Sequence, residues 1–292
     1  MSGKVKIGNR WIGDGEPCFV TAEIGINHNG DLDIARKLIS AAAAAGCDAV
    51  KFQKRTVDVV YTAEELARPR ENLFGPTNGD LKRGLEYGFE QYAEIDAFCK
   101  SHQMMWFASA WDEGSVDFLE QFDPPCYKIA SASLTDDNLL RHHRQYKRPI
   151  ILSTGMSTIE QIDHAVDVLG TEDLILLHCN STYPLTETRE QNLKVIHTLR
   201  ERYEGVPVGY SGHELGLQTS LAAMVMGACM IERHITLSRA MWGSDHPASI
   251  EPKGITLLVR DIREVERAMG DGVKRVYASE IPVMEKLRRV GL

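Results

Sequence analysis

The chain has 292 residues, with 33 lysines and arginines against 41 aspartates and glutamates, a formal charge of −8. At 43% hydrophobic and 25% charged residues its composition is that of an ordinary globular protein, which excludes a disordered, collagen-like or disulfide-scaffold chain. The acidic balance argues against a nucleic-acid or anionic-membrane surface, since both need clustered positive charge, but it leaves room for a local basic pocket around a small anion.

The N-terminus, Met1 to Trp11, is polar, and no apolar signal-peptide core follows it. Short β-rich runs then alternate with longer helical patterns. The predicted strands are Cys18–Ile24, Ala49–Gln53, Met104–Ser109, Tyr127–Ala130, Ile150–Thr154, Leu174–His178, Val206–Tyr210 and Ala228–His234. All are apolar on both faces, as strands of a helix-covered parallel sheet must be. Helical periodicity fills Leu32–Ala45, Glu90–Ser101, Ile159–Leu169, Leu193–Arg202, Leu217–Met226 and Ile255–Met269. Asp31, Asp136 and Ser157 stand where N-caps belong, and Gly46 stands where the first helix should end. The stretch from Lys54 to Gly88 is long and polar and reads as a lid or specificity loop.

Eight strand–helix units over about 250 residues predict an α/β fold of the (β/α)8 TIM-barrel type. The rival doubly wound sheet lacks its glycine-rich phosphate loop, because Glu23 to Gly30 does not fit GxGxxG. Residues 1–270 are expected to form the barrel and residues 271–292 a helical extension packed on the barrel or on a neighbour. The longest uncharged apolar run, Leu221 to Ile231, is too short to span a membrane. Six scattered cysteines (Cys18, Cys47, Cys99, Cys126, Cys179, Cys229) form no CxxC, which points to small buried hydrophobes in a reduced, cytoplasmic protein.

Barrel chemistry sits at the C-terminal ends of strands. Those ends carry Glu23, then Lys51 and Gln53, Lys128 and Ser131, Ser153, His178 to Tyr183, Ser211 to His213, and Glu232 to His234; Asp245 and His246 follow. Lys51 and Lys128 lie in apolar strands, where an unpaired ammonium is costly. Either an anion bearing phosphate and carboxylate sits between them, helped by the hydroxyls of Ser131, Ser153, Ser181 and Ser211, or each pairs with an internal carboxylate such as Glu23. A Schiff-base lysine is a third option. His213 and His234 end adjacent strands and can converge on a divalent cation such as Mn2+ or Mg2+. His178, inside an apolar strand, reads as structural.

Taken together, Ala22 to Gly30, Val50-Lys51-Phe52-Gln53, Lys128-Ile129-Ala130-Ser131, Ser153-Thr154-Gly155-Met156, Gly209 to His213 and Asp245 through Pro252 resemble the sialic acid synthase family, the phosphoenolpyruvate-condensing nonulosonate synthases. The resemblance implies a manganese-dependent condensation of phosphoenolpyruvate with an open-chain N-acetylhexosamine such as N-acetylmannosamine, releasing phosphate. Lys51, Lys128, Ser131, Ser153, Ser181 and Ser211 would then hold phosphoenolpyruvate, and His213 and His234 the metal. Glu23, Gln53, Asn78, Tyr183 and Asp245 would face the sugar, with Glu23, Lys51, Lys128 and Asp245 closest to the chemistry. Family members usually carry a glutamate where this chain has Ser133, which is expected to affect the sugar accepted. They also continue into an antifreeze-like domain, which is not expected here, and assemble as homo-oligomers. The competing functions are a Schiff-base barrel aldolase using Lys51 or Lys128, and a non-catalytic barrel that binds sugar or phosphate.

Overall fold

The computed structural model describes residues 3–290. A hairpin comes first, β1 (Lys4–Ile7) and β2 (Arg10–Gly13), paired antiparallel. The chain then runs through β3 (Phe19–Gly25), β4 (Ala49–Lys54), a small hairpin of β5 (Pro69–Asn72) and β6 (Gly75–Thr77), β7 (Met105–Ala110), β8 (Tyr127–Ile129), β9 (Ile150–Ser153), β10 (Leu174–Cys179), β11 (Val208–Gly212) and β12 (Met230–His234). Strands β3, β4 and β7 to β12 pair in parallel, in chain order, and β12 returns to β3 to close the barrel. The predicted (β/α)8 architecture is therefore the observed one, with strand bounds shifted by a residue or two. Val206 and Pro207 fall outside β11, since proline has no N–H to give a ladder; the Pro207 carbonyl still accepts from the Leu176 N–H at 3.0 Å.

Alternation along each strand sorts the core into two bodies. Val20, Ala22, Val50, Phe52, Leu174 and Leu176 pack outward against the helices. Phe19, Ala49, Phe107, Ile151, Ile175, Leu177 and Met230 fill the lower interior of the barrel. Val5, Ile7 and Ile12 of the first hairpin join this inner cluster, so the hairpin stoppers the N-terminal end. That element was not predicted: with four residues per strand and lysines between the buried positions, the stretch reads as a polar lead-in.

Helix starts follow the expected chemistry in two cases of three. Asp31 accepts from the Asp33 and Ile34 N–H groups, and Asp136 from that of Leu139. The third cap is Thr158 rather than Ser157; it forms a capping box with Gln161, while the Ser157 hydroxyl donates to the Gly155 carbonyl. Gly46 closes Leu32–Ala45 with φ +82°, a left-handed conformation that suits glycine.

The stretch read as a long loop is ordered. It holds short helices at Val57–Val60, Ala63–Ala67 and Asn78–Gly84 around the β5–β6 hairpin. Glu86 at its end takes both Lys54 and Arg55 at its beginning, which ties it shut. After the last barrel helix, Pro252–Met269, the segment 271–290 includes a helix at Ile281–Leu287, yet none of its residues is buried. Of the two expected packings, on the barrel or on a neighbour, the first is not seen: Val273, Val276, Tyr277, Val283 and Leu287 all stay exposed. Among the described residues, no helix is long and apolar enough to cross a membrane.

Candidate active site

Two clefts lie at opposite ends of the barrel. The larger, about 520 Å³, opens beneath the first hairpin, between Arg10, Asp48, Asp96, Lys100, Trp106 and Asp123. Its charges are already matched: Arg10 with Asp48, Lys100 with Asp96, and Asp123 with Arg148. The smaller, about 180 Å³, lies at the C-terminal ends of the strands, where barrel chemistry belongs. Unlike the larger cleft, it gathers buried ionisable groups from several strands.

Eleven of the thirteen residues expected at the site line this cavity: Glu23, Lys51, Gln53, Lys128, Ser131, Ser153, Ser181, Tyr183, Ser211, His213 and His234. Asp245 stands just behind, its Oδ2 3.9 Å from Nδ1 of His234. Asn78 is not brought in. It begins the helix Asn78–Gly84, accepts from Arg70 and donates to the Glu65 carbonyl, so its amide serves the inserted segment rather than the cavity. No residue of 57–88 lines the cavity, so the long insertion does not act as its wall.

The two lysines have different surroundings. Lys51 Nζ stands 2.7 Å from Glu23 Oε2 and 3.8 Å from Glu232 Oε1, and donates to Ser109 Oγ at 3.1 Å. Thus Lys51 takes the internal-carboxylate option. Burial opposes its charge, but Glu23 and then Glu232 outweigh burial and raise its pKa. Lys128 donates to Ser153 Oγ at 2.6 Å and to the Ile129 carbonyl at 3.1 Å; among the described residues it forms no ion pair. Burial and the repulsion of Lys51 lower its pKa despite the pull of Glu232.

The carboxylates divide likewise. Burial pushes Glu23 up to about 7, with Glu232 adding to that and Lys51 opposing it. Glu232 is held below the usual range because Lys51 and Lys128 together overcome its burial. Gln53 donates to Glu23 Oε1 at 3.1 Å and is itself fixed by Arg55. This crowding needs Gly25: its φ is +54°, and a Cβ there would meet Glu23 Oε1 at 3.0 Å and Gln53 Nε2 at 3.1 Å.

Across the mouth, Gly155 donates its N–H to Ser131 Oγ at 3.0 Å, and an added Cβ would run into the Ser131 and Ser181 hydroxyls. The Gly155 backbone, which carries no side chain, and the Ser131 and Ser181 hydroxyls thus form one cradle. The His213 and His234 rings lie 5.4 Å apart, with the Tyr183 ring 3.9 Å from His213. His213 Nδ1 bonds the Asn180 carbonyl at 2.6 Å, which leaves Nε2 available. His234 Nδ1 is buried with no hydrogen-bond partner. Burial holds both imidazoles near 3, hence neutral, the form that ligates a cation. Among the described residues, no group of three histidines, cysteines, aspartates or glutamates stands close enough to hold a metal unaided. The two imidazoles therefore suit a cation that takes its other ligands from water or substrate.

Sequence reasoning assigned no role to Ser109, Trp111 or Glu232, all of which line the cavity. Ser109 could have been found by register, since it pairs with Gln53 on one side and Lys128 on the other. Glu232 was visible two residues before His234, on the same face of its strand. His178, read as structural, donates from Nε2 to the Gln191 carbonyl at 2.8 Å, outside the cavity. The six thiols are all free and buried.

The NeuB family profile matches residues 38–274, more than half the chain. An N-acetylneuraminate-9-phosphate synthase of Mus musculus is 37% identical over 282 residues, covering 95% of this chain and 78% of the relative. An N,N'-diacetyllegionaminic acid synthase of Legionella pneumophila is 35% identical, covering 95% of this chain and 80% of the relative. Among solved structures, the N-acetylneuraminic acid synthetase of Leptospira borgpetersenii, in complex with citrate, superposes with a TM-score of 0.85 at 31% identity over 99% of both chains. A truncated 3-deoxy-D-arabino-heptulosonate 7-phosphate synthase of Thermotoga maritima shares the fold alone, at TM-score 0.70 and 15% identity. With its profile, its relatives and its barrel in agreement, the chain belongs to the NeuB family.

Proposed function

We propose that the protein condenses phosphoenolpyruvate with an open-chain N-acetylhexosamine, N-acetylmannosamine or a related sugar, to give a nonulosonic acid and phosphate. One observation carries the reading. A single cavity brings together an ammonium without an acidic partner, a serine cradle, a carboxyl poised near neutrality and two neutral imidazoles. Its relatives are named as synthases of such acids.

Lys128, Ser153, Ser131, Ser181 and the Gly155 backbone surround the space suited to phosphate and carboxylate oxygens, with charge-assisted hydrogen bonds as the main attraction. His213 and His234 would hold a divalent cation, Mn2+ or Mg2+, which when bound polarises the sugar aldehyde as a Lewis acid. In the condensation, carbon 3 of phosphoenolpyruvate bonds to the aldehyde carbon and the aldehyde oxygen takes a proton. Water adds at carbon 2 and loses one proton; the bond from carbon 2 to the phosphate oxygen then breaks as the remaining hydroxyl proton passes to the departing phosphate, leaving a ketone. Glu23, with its pKa near 7, can hold or release a proton at neutral pH. Gln53 and Lys51 fix its carboxyl. Tyr183, at the rim, and Asp245, just behind His234, would face the sugar. Six buried thiols suit a reducing, cytoplasmic location.

Protein mixed with phosphoenolpyruvate, Mn2+ and N-acetylmannosamine or a related hexosamine is expected to release inorganic phosphate, and a chelator to stop it. His213→Ala should abolish Mn2+ binding in calorimetry while phosphoenolpyruvate still binds. Phosphate release undiminished by both chelator and His213→Ala would overturn the cation's part.

A second reading rests on the lowered pKa of Lys128, since a neutral amine is what a Schiff base requires. Borohydride trapping of a carbonyl substrate on Lys128, with full activity in chelator, would favour a barrel aldolase instead.

A further inference from the structure

We propose that Glu214 and Arg233, outside the barrel wall, form a positioning clamp that sets the approach of His213 to His234. The inference rests on the reading of those two imidazoles as a cation site. Each clamp residue is the immediate neighbour of one imidazole. Along β12 the side chains alternate, so that Glu232 and His234 enter the cavity while Arg233 points away from it. Arg233 is wholly buried and Glu214 is 3% exposed.

The pair is joined through both terminal nitrogens of Arg233 and both carboxylate oxygens of Glu214, with Arg233 Nε left without a partner among the described residues. Arg233 Nη1 donates to Glu214 Oε1 at 2.8 Å, to Ser220 Oγ at 2.8 Å and to the Gly216 carbonyl at 2.9 Å, while Nη2 donates to the Glu214 carbonyl. Ser220 and Tyr210 donate to the two carboxylate oxygens of Glu214, at 2.6 and 2.9 Å. The effect is to lash the turn after β11 to the end of β12, the two places from which the imidazoles project. The backbone on the far side of His213 is fixed as well, since its carbonyl accepts from Leu185 N–H at 3.0 Å.

A buried ion pair is a poor way to gain stability, because desolvating two charges offsets most of their attraction; a well-packed apolar pair often does as well. What it provides that an apolar pair lacks is direction, since a guanidinium and a carboxylate meet in few geometries. Partners behind metal-binding histidines typically alter metal affinity by about 10- to 100-fold.

The test is Mn2+ affinity by calorimetry on the full chain, with circular dichroism as the folding check. Ser220→Ala removes a hydrogen bond from both clamp residues without baring a charge, so it should fold. Glu214→Gln tests the carboxylate, and the double variant Glu214→Gln/Arg233→Met leaves no unpaired charge. Each is expected to weaken Mn2+ binding, the last two by about tenfold or more, with phosphoenolpyruvate affinity in metal-free buffer unchanged. Folded variants that bind Mn2+ like the parent, while His213→Ala does not, overturn the clamp and spare the cation reading. If His213→Ala also binds Mn2+ as before, the cation site fails and the clamp falls with it.

Discussion

Lys51→Met is expected to end phosphoenolpyruvate-dependent phosphate release, by about a thousandfold in kcat/KM, and to destabilise the fold at the same time. Breaking a buried ion pair by removing one partner costs about 3–5 kcal/mol, the scale of both effects. Methionine keeps the length of the side chain, so the change is in charge rather than volume. Glu23 and Glu232 then face each other without their shared ammonium. The sign of the pH dependence follows from Glu23, whose pKa is raised from 4.5 to about 7 in the folded chain. Between those values the folded state keeps a proton that the unfolded chain has released, so stability falls as pH rises through the window. Lys51 opposes that rise, so without it the window extends upward. Thermal melts of the variant should therefore lie furthest below the parent at alkaline pH and recover toward pH 5. A variant that binds phosphoenolpyruvate normally and melts in parallel with the parent at every pH would remove Lys51 from the site.

Gly155→Ala should be nearly as damaging to substrate binding and far milder for the fold. A methyl group there occupies the space between the Ser131 and Ser181 hydroxyls and turns both away from the incoming anion. Hydrogen bonds to charged groups contribute about 1.5–3 kcal/mol each, so loss of most of two weakens phosphoenolpyruvate binding by about 100-fold or more. The backbone has no left-handed requirement at this position, but the methyl also meets the Cys179 carbonyl at 3.3 Å, so the gain from restricting the unfolded chain is offset and the melting temperature should hold or fall slightly. Saturation binding and a melt on the same sample check both halves. Unchanged affinity would show that the cradle is not where the anion sits.

How much of this was legible beforehand depended on the range of the interaction concerned. Strand order and barrel closure follow from an alternation of doubly apolar runs and amphipathic stretches, which is local information, and both were readable. The strand-end residues were readable too, because a lysine inside Val50 to Gln53 or Tyr127 to Ala130 is anomalous on its own terms. Pairing was not readable. That Glu23 takes Lys51 and leaves Lys128 to Ser153 depends on side-chain reach across the barrel, and sequence spacing is silent about it. The first hairpin escaped because its apolar residues alternate with lysines, and their burial comes entirely from the barrel above them. Asn78 was misplaced for the opposite reason: a segment with its own caps and hairpin holds its polar groups internally, whatever the strands around it do.

The hairpin stopper has a kinetic consequence. With the lower interior packed by Phe19, Ile151, Ile175 and Leu177 and Val5, Ile7 and Ile12 seated under them, the cavity is entered from the strand C-terminal end, and everything must arrive and depart there. On the proposed reading the anion's cationic contact is a deep one, Lys128 being 2% exposed, whereas Tyr183 at the rim is 45% exposed. Whatever lies lower must load before whatever lies above, and traffic out is last in, first out. Initial-rate patterns should accordingly be those of compulsory-order addition, with the enolpyruvyl substrate leading; a random-order pattern would mean that the sugar does not cover the anion's place.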